Sequence, residues 1–209
     1  MVDMKAFFKM SYGLYLISSK DGDRDMGCVV NTLTQVTVEP PQVVVALHKD
    51  NNTTKAIQKS GCFTGVALAE TATMELIGQF GFHSSLELDK FAPFASKVDE
   101  HGVRYVTEQV AARYSCKVVG SIDTGTHIVF VGEVTTAEIL DPALAPMTYA
   151  YYHQVKNGAT PPRASSYKPE EQKKGYRCKI CGYILESDTL PADFICPICH
   201  KGAEFFEKL

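Results

Sequence analysis

A chain of 209 residues has room for one full domain and a small second one, and 45% hydrophobic with 22% charged residues is ordinary globular usage, which excludes disordered, collagenous and coiled-coil classes. A formal charge of -3 and a pI near 6.1 provide no basic field for a polyphosphate, so nucleic acid is not an expected partner. No apolar run reaches the roughly 18 residues that cross a bilayer, and the opening MVDMKAFFKM lacks a signal-peptide core, so a cytoplasmic protein without membrane contact is expected.

In chain order, residues 1–10 read as helical. Short β-branched runs bounded by Gly, Pro, Asn or Asp then predict strands at 13–18, 26–30, 42–47, 62–68 and 128–134. Helical pieces are expected at 53–60 and 71–80, the latter opening with Thr71, Met74 and Glu75 as an amphipathic turn. The strands are too short and too closely spaced for a doubly wound sheet. The fold class that follows is mainly β: an antiparallel barrel decorated by a few helices, plus a small separate domain at the end of the chain.

Two polar clusters interrupt the strands. Asn31-Thr32-Leu33-Thr34, followed by Glu39-Pro40-Pro41, puts small polar groups after a strand, where backbone N–H groups can meet the polar edge of a heterocycle. His48 to Lys55 leads into the helix expected near Thr53, and N–H groups at a helix start beside Lys49 and two hydroxyls suit a phosphate. An ordinary helix cap after a solvated turn is the plainer reading of the same residues. Cys28, Cys62 and Cys116 sit in apolar strand contexts and read as buried small hydrophobes. There is no G-x-S-x-G, Walker loop or G-x-G-x-x-G, so a nicotinamide would have to bind transiently, without a Rossmann domain of its own.

Residues 156–175, KNGATPPRASSYKPEEQKKG, hold three prolines and no aliphatic side chain larger than alanine. Such a stretch buries too little apolar surface to offset its ordering entropy and reads as a linker between domains at 1–155 and 176–209. Of the seven cysteines, four fall in the tail, as C-x2-C, fourteen residues, then C-x2-C: Cys178, Cys181, Cys196 and Cys199. Thiolates at this spacing form two knuckles whose sulfurs converge on a tetrahedral ion, zinc or iron; the ligands alone do not choose. The tail's cations are Arg177, Lys179, Lys201 and Lys208, too sparse for a phosphate-tracking face.

The tail resembles rubredoxin through Tyr176-x-Cys178-x-x-Cys181-Gly182-Tyr183, then Leu190-Pro191-x-Asp193-Phe194-x-Cys196-Pro197-x-Cys199 and a closing Phe205 or Phe206. The loop between the knuckles is short, and His200 replaces the usual glycine at a position where positive φ is common. The resemblance implies iron, and Tyr176, Tyr183, Phe194, Phe205 and Phe206 offer the apolar wrapping of a redox centre; structural zinc is the alternative.

The first domain resembles the flavin reductase-like family, whose members bind FMN in a split barrel. The polar clusters carry this, continued by Gly61-Cys62-Phe63, Phe80-Gly81-Phe82, Asp89-Lys90-Phe91, the 126–134 strand and the 147–158 segment. The resemblance implies that Asn31, Thr32, Leu33 and Thr34 lie at the isoalloxazine, that Lys49, Asn51 and Thr53 lie at the phosphate end, and that Lys90, His127 and Tyr152 complete the pocket. Plainer roles are a solvated cation for Lys90, a satisfied strand histidine for His127, and core or dimer packing for Tyr152. The fusion implies a homodimeric carrier that takes electrons from NAD(P)H, or from an upstream reductase, through FMN to the iron centre and on to a flavodiiron oxygen or nitric oxide reductase. Two other readings stay open: a reductase releasing reduced FMN with a zinc ribbon as a clip, and a non-catalytic flavin-binding module whose ribbon docks a partner.

Overall fold

The computed structural model describes residues 2–156 and 175–209, so the expected linker lies outside the described residues except at its ends. A 3-10 segment, Met4–Lys9, stands where a helix is expected over 1–10. Strands β1 (Tyr15–Asp21) and β2 (Arg24–Val30) form a hairpin whose turn opens with Gly22 at φ 61°, a left-handed geometry glycine adopts without a side-chain clash. They are followed by β3 (Thr34–Val38), β4 (Pro41–His48), helix α1 (Asn52–Ser60) and β5 (Cys62–Leu68). Asn51 caps α1, its Oδ1 accepting from the Thr53 N–H at 3.0 Å, and Gly61 at φ 67° ends it.

Helix α2 (Met74–Phe82) starts later than expected: Thr73 rather than Thr71 caps it, accepting from the Leu76 N–H at 3.2 Å. Two short strands, β6 (Ser96–Val98) and β7 (Arg104–Val106), pair with each other. The long hairpin β8 (Val110–Asp123) and β9 (His127–Ile139) and the short helix α3 (Tyr149–Gln154) finish the first domain. The order β2-β1-β5-β8-β9-β4-β3 makes one seven-stranded sheet with every pairing antiparallel.

This sheet curls because it must cover two apolar masses. Ile17 and Phe63 on the neighbouring β1 and β5 share one buried cluster with Phe130 and Val45 on the neighbouring β9 and β4 and with Ile57 of α1, forming the barrel interior. Leu16, Val66 and Leu68 face the other way and pack with Leu76, Ile77 and Phe80 of α2. Both faces of β1 and β5 are therefore buried, so burial along them is continuous rather than alternating and takes in Ser18, Ser19 and Thr64. In the tail, β10 (Tyr176–Cys178), β11 (Ile184–Leu185) and β12 (Phe206–Lys208) form a small sheet in the order β11-β10-β12. Its buried Cys178, Cys181, Cys196 and Phe206 join the same cluster as Leu76, Ile77 and Tyr152, so the tail is docked on the α2 side of the barrel. Among the described residues no helix is long and apolar enough to cross a membrane.

Candidate functional site

The two knuckles of the tail are built alike. The Cys178 N–H donates to the Tyr183 carbonyl and the Cys196 N–H to the Lys201 carbonyl, both at 2.8 Å, while Gly182 and His200 return N–H bonds to the Cys178 and Cys196 carbonyls, both at 2.9 Å. Those closing residues have φ 76° and 57°, so His200 takes the left-handed geometry expected of it. The result is four Sγ atoms within 4.8 Å of one another, with Cys178 to Cys199 at 3.6 Å and Cys181 to Cys196 at 3.5 Å. A tetrahedron with metal–sulfur bonds of about 2.3 Å has edges of about 3.8 Å, so the donor set fits one tetrahedral ion.

Backbone N–H groups turn toward the sulfurs: Tyr183 toward Cys181, Lys201 toward Cys199, and both Ile198 and Cys199 toward Cys196. Burial raises the Cys181 thiol and pushes the Cys199 thiol up to about 12, whereas at Cys196 burial is outweighed by the N–H groups and the net shift is downward. The aromatic wrapping is present, with Phe194 edge-on to buried Phe206 at 5.3 Å. Phe206 is the closing aromatic; Phe205 lies half-buried with the Lys201 ammonium 6.0 Å from its ring centre.

Beside this centre is a cavity of about 550 Å³ between the barrel and α2. Asn31, Thr32, Asn51, Lys90, His127 and Tyr152 line it. Leu33, Thr34, Lys49 and Thr53 do not: Leu33 packs into the barrel interior, Thr34 is exposed on β3, and Lys49 pairs with Asp123 at 2.6 Å. The Thr32 hydroxyl donates to the Ala46 carbonyl at 2.7 Å, which pins the loop after β2 onto β4. Lys90 is not a solvated cation. It is 3% exposed, and its Nζ donates to the Gly27 carbonyl at 2.9 Å and the Phe80 carbonyl at 3.1 Å. Burial pushes this ammonium down to about 8.

His127 stands edge-on to His48 at 5.2 Å, and Tyr152 is buried and stacked on Tyr149 at 6.0 Å. Asn52 and Tyr149, which the sequence does not assign to the pocket, also line the cavity, as do Ser84 and Cys28, the latter read from sequence only as a buried small hydrophobe; the Asn52 amide donates to the Ser84 hydroxyl at 3.3 Å. Nor did it place Arg177, Cys178, Lys179 and Glu207 there, although the docked tail supplies them as one wall. No local signal carries that information, because the wall exists only once the tail sits on the barrel. Cys28 and Cys116 are buried as expected, whereas Cys62 is only half-buried, because its strand end opens to solvent beyond α1.

The flavin reductase like domain family matches residues 7–158. The chain belongs to that family. The rubrerythrin, rubredoxin-like domain family matches residues 176–207, so this flavin reductase-like protein carries a rubredoxin-like domain at its end. It is 39% identical over 230 residues to the high molecular weight rubredoxin of Moorella thermoacetica, covering 100% of both chains. It is also 44% identical over 167 residues to a ferric-chelate reductase (NAD(P)H) of Archaeoglobus fulgidus, with 79% of this chain and 98% of that one covered. Among solved structures it is similar to an NADH:FAD oxidoreductase of Streptomyces globisporus C-1027 in complex with NAD and FAD fragments, with TM-score 0.64, 23% identity, and 72% and 92% of the two chains covered; this likeness concerns the fold. The flavin reductase-like chain is thus an oxidoreductase that binds a flavin in its barrel domain and a metal ion in its four-cysteine cluster.

Proposed function

We propose that the protein is an electron carrier in which FMN, reduced by NAD(P)H directly or through a reductase, passes electrons one at a time to a single iron held by Cys178, Cys181, Cys196 and Cys199. The carrying observation is that Cys178 lines the same cavity as Asn31, Thr32 and Lys90. Flavin is the group that accepts a two-electron hydride and releases single electrons. Summed over a cycle, the hydride and one solvent proton enter, two electrons leave through the ferric/ferrous couple, and two protons return to solvent.

The residues fit both groups. Thr53, 1% exposed at the start of α1, lies behind the cavity wall with its hydroxyl against the Cys28 thiol, and Cys28 lines the cavity. Lys90 uses two of its three donors on carbonyls, which leaves one for an acceptor on a bound group. Asn31, Thr32 and Asn51 supply the polar edge, and Tyr152 with Tyr149 an aromatic wall. We assign Lys49 and Thr34 to the approach rather than to the cavity lining, and Leu33 to the barrel interior behind it. Iron over zinc is supported by the aromatic wrapping and by the N–H groups around the sulfurs, which tune a couple that a structural ion does not have.

A homodimer is supported by Val36 and Val38 on β3, Val119 and Ile122 on β8 and Ile139 on β9, all at least half exposed or close to it, the most exposed being Val38 at 80%. No two of the seven cysteines form a disulfide, and four of them make a thiolate metal site, which supports a reducing, cytoplasmic setting. The family resemblance points to a flavodiiron oxygen or nitric oxide reductase as acceptor. We infer domains at 1–155 and 176–209 joined by 156–175.

One observation favours a second reading, a reductase that releases reduced flavin with a zinc clip behind it: a relative matched over 98% of its own length aligns with only 79% of this chain. Metal analysis and an anaerobic visible titration separate the two. One iron per chain, with a red ferric-thiolate band over the flavin bands and both bleached by NADH or NADPH, is expected. One zinc per chain, or a ferric band that stays while the flavin bleaches, sinks the relay.

A further inference from the structure

Helix α2 makes its closest approach to the metal-bearing tail at a residue without a side chain. Gly78 is buried, and a Cβ built there would overlap the carbonyl oxygen of Ile180, with the Ile180 carbonyl carbon at 2.7 Å and the Cys181 nitrogen at 3.5 Å. All three nearest atoms belong to the backbone of the first knuckle; none belongs to the barrel. Backbone cannot yield as a flexible side chain does, so the close approach requires glycine. In a helix interior glycine is otherwise the less stable choice beside alanine.

One turn earlier on the same helical face, Glu75 stands 3.9 Å from the Lys201 ammonium, next to the second knuckle. Two positions of one helix face thus meet both halves of the metal site. Around them Cys178, Cys181 and Phe206 are buried in the cluster that holds Leu76, Ile77 and Phe80, while Cys199 keeps partial exposure.

We propose that the α2 face centred on Gly78 is a dedicated docking site for this chain's own first knuckle, Cys178 to Gly182, and that electrons cross from the cavity to the metal in this docked arrangement rather than by chance encounters of a tethered domain. This rests on the relay reading for its redox half. Each docked event moves one electron, oxidising the flavin by one equivalent and reducing the ferric ion to ferrous; the external acceptor protein reoxidises the ion before the next.

The test uses the full-length, cofactor-loaded protein with Gly78→Ala and Gly78→Leu. Both substitutions favour the helix and meet no barrel atom among the three nearest; because undocking also removes the tail's wall of the cavity, flavin content is measured for each variant and the metal-reduction phase is read per loaded flavin. Hydrogen exchange at amides 74–82 and 176–182 is expected to speed up by about tenfold or more in Gly78→Leu as the docked population falls. The metal-reduction phase in anaerobic stopped flow is expected to slow by about tenfold or more, with Gly78→Ala between. Unchanged exchange in Gly78→Leu overturns the docking site. Faster exchange with an unchanged metal-reduction phase overturns the claim that the docked arrangement conducts. A wild-type metal that never bleaches sinks the relay instead, and exchange alone then decides the docking.

Discussion

Lys90 is the residue at which the plainest expectation and the structure part. An Asp-Lys-Phe triplet offers no hint that the ammonium turns inward, because burial is decided by the two carbonyls it reaches, Gly27 on β2 and Phe80 on α2, and these are brought together only by the tertiary fold. Burial lowers its proton affinity to about 8, against an unfolded value of about 10.4. Between those values the unfolded chain binds more protons than the folded one, so this group's contribution to stability rises with pH across the window, and below about 8 the full cost of a buried charge is present. In the flavin-free protein, urea midpoints of wild type and Lys90→Met should diverge in favour of wild type between pH 7.5 and 10, by about 1–2 kcal/mol. A gap that does not move with pH would mean that the ammonium is better solvated than its 3% exposure implies. The four cysteines lie at the opposite extreme of legibility: two knuckles are local in sequence, so spacing alone places their sulfurs together.

At the scale of elements, what was readable is what is driven locally. The predicted strand at 62–68 coincides with β5, since both of its faces are buried and Cys62, Phe63, Val66, Ala67 and Leu68 supply apolar groups to each. Strand β8 was not read, because Arg113, Ser115 and Lys117 break the run; Arg113 is buried with its Nε 2.8 Å from Glu138 and its guanidinium over Tyr105, a pairing that only the folded hairpin supplies. Strand β3 is exposed along its whole length and carries no period to detect. The expected start of helix α2 at Thr71 lies three residues before its observed start at Met74, because Thr71 and Thr73 both suit a helix beginning by composition. The structure chooses Thr73, whose own N–H is also held by Gln109 at 2.7 Å. Thr73→Ala should therefore destabilise the barrel by about 1 kcal/mol in denaturant titration, whereas Thr71→Ala should change it by no more than about 0.5 kcal/mol. Because α2 forms a wall of the cavity, a frayed first turn should also raise hydrogen exchange at the docking face.

For the whole molecule, the break in composition at 156–175 announces two parts but says nothing of how they meet, since the decisive contact is a glycine, which leaves no pattern in a sequence. The tail has strands of three, two and three residues and draws its apolar cover from the barrel's second cluster. A unit so small has too little core to hold its shape without its ion. Removing the metal should collapse the amide dispersion of residues 175–209 in nitrogen–proton correlation spectra and leave the barrel resonances dispersed. The barrel itself should lose only the cover over Leu76, Ile77 and Tyr152, for which about 1 kcal/mol corresponds to a fall of about 2–4 °C in its thermal midpoint. A tail that stays dispersed without metal would show that docking rather than coordination folds it. An unchanged barrel midpoint would show that the shared cluster contributes nothing to stability, leaving the contact at Gly78 as a matter of placement alone.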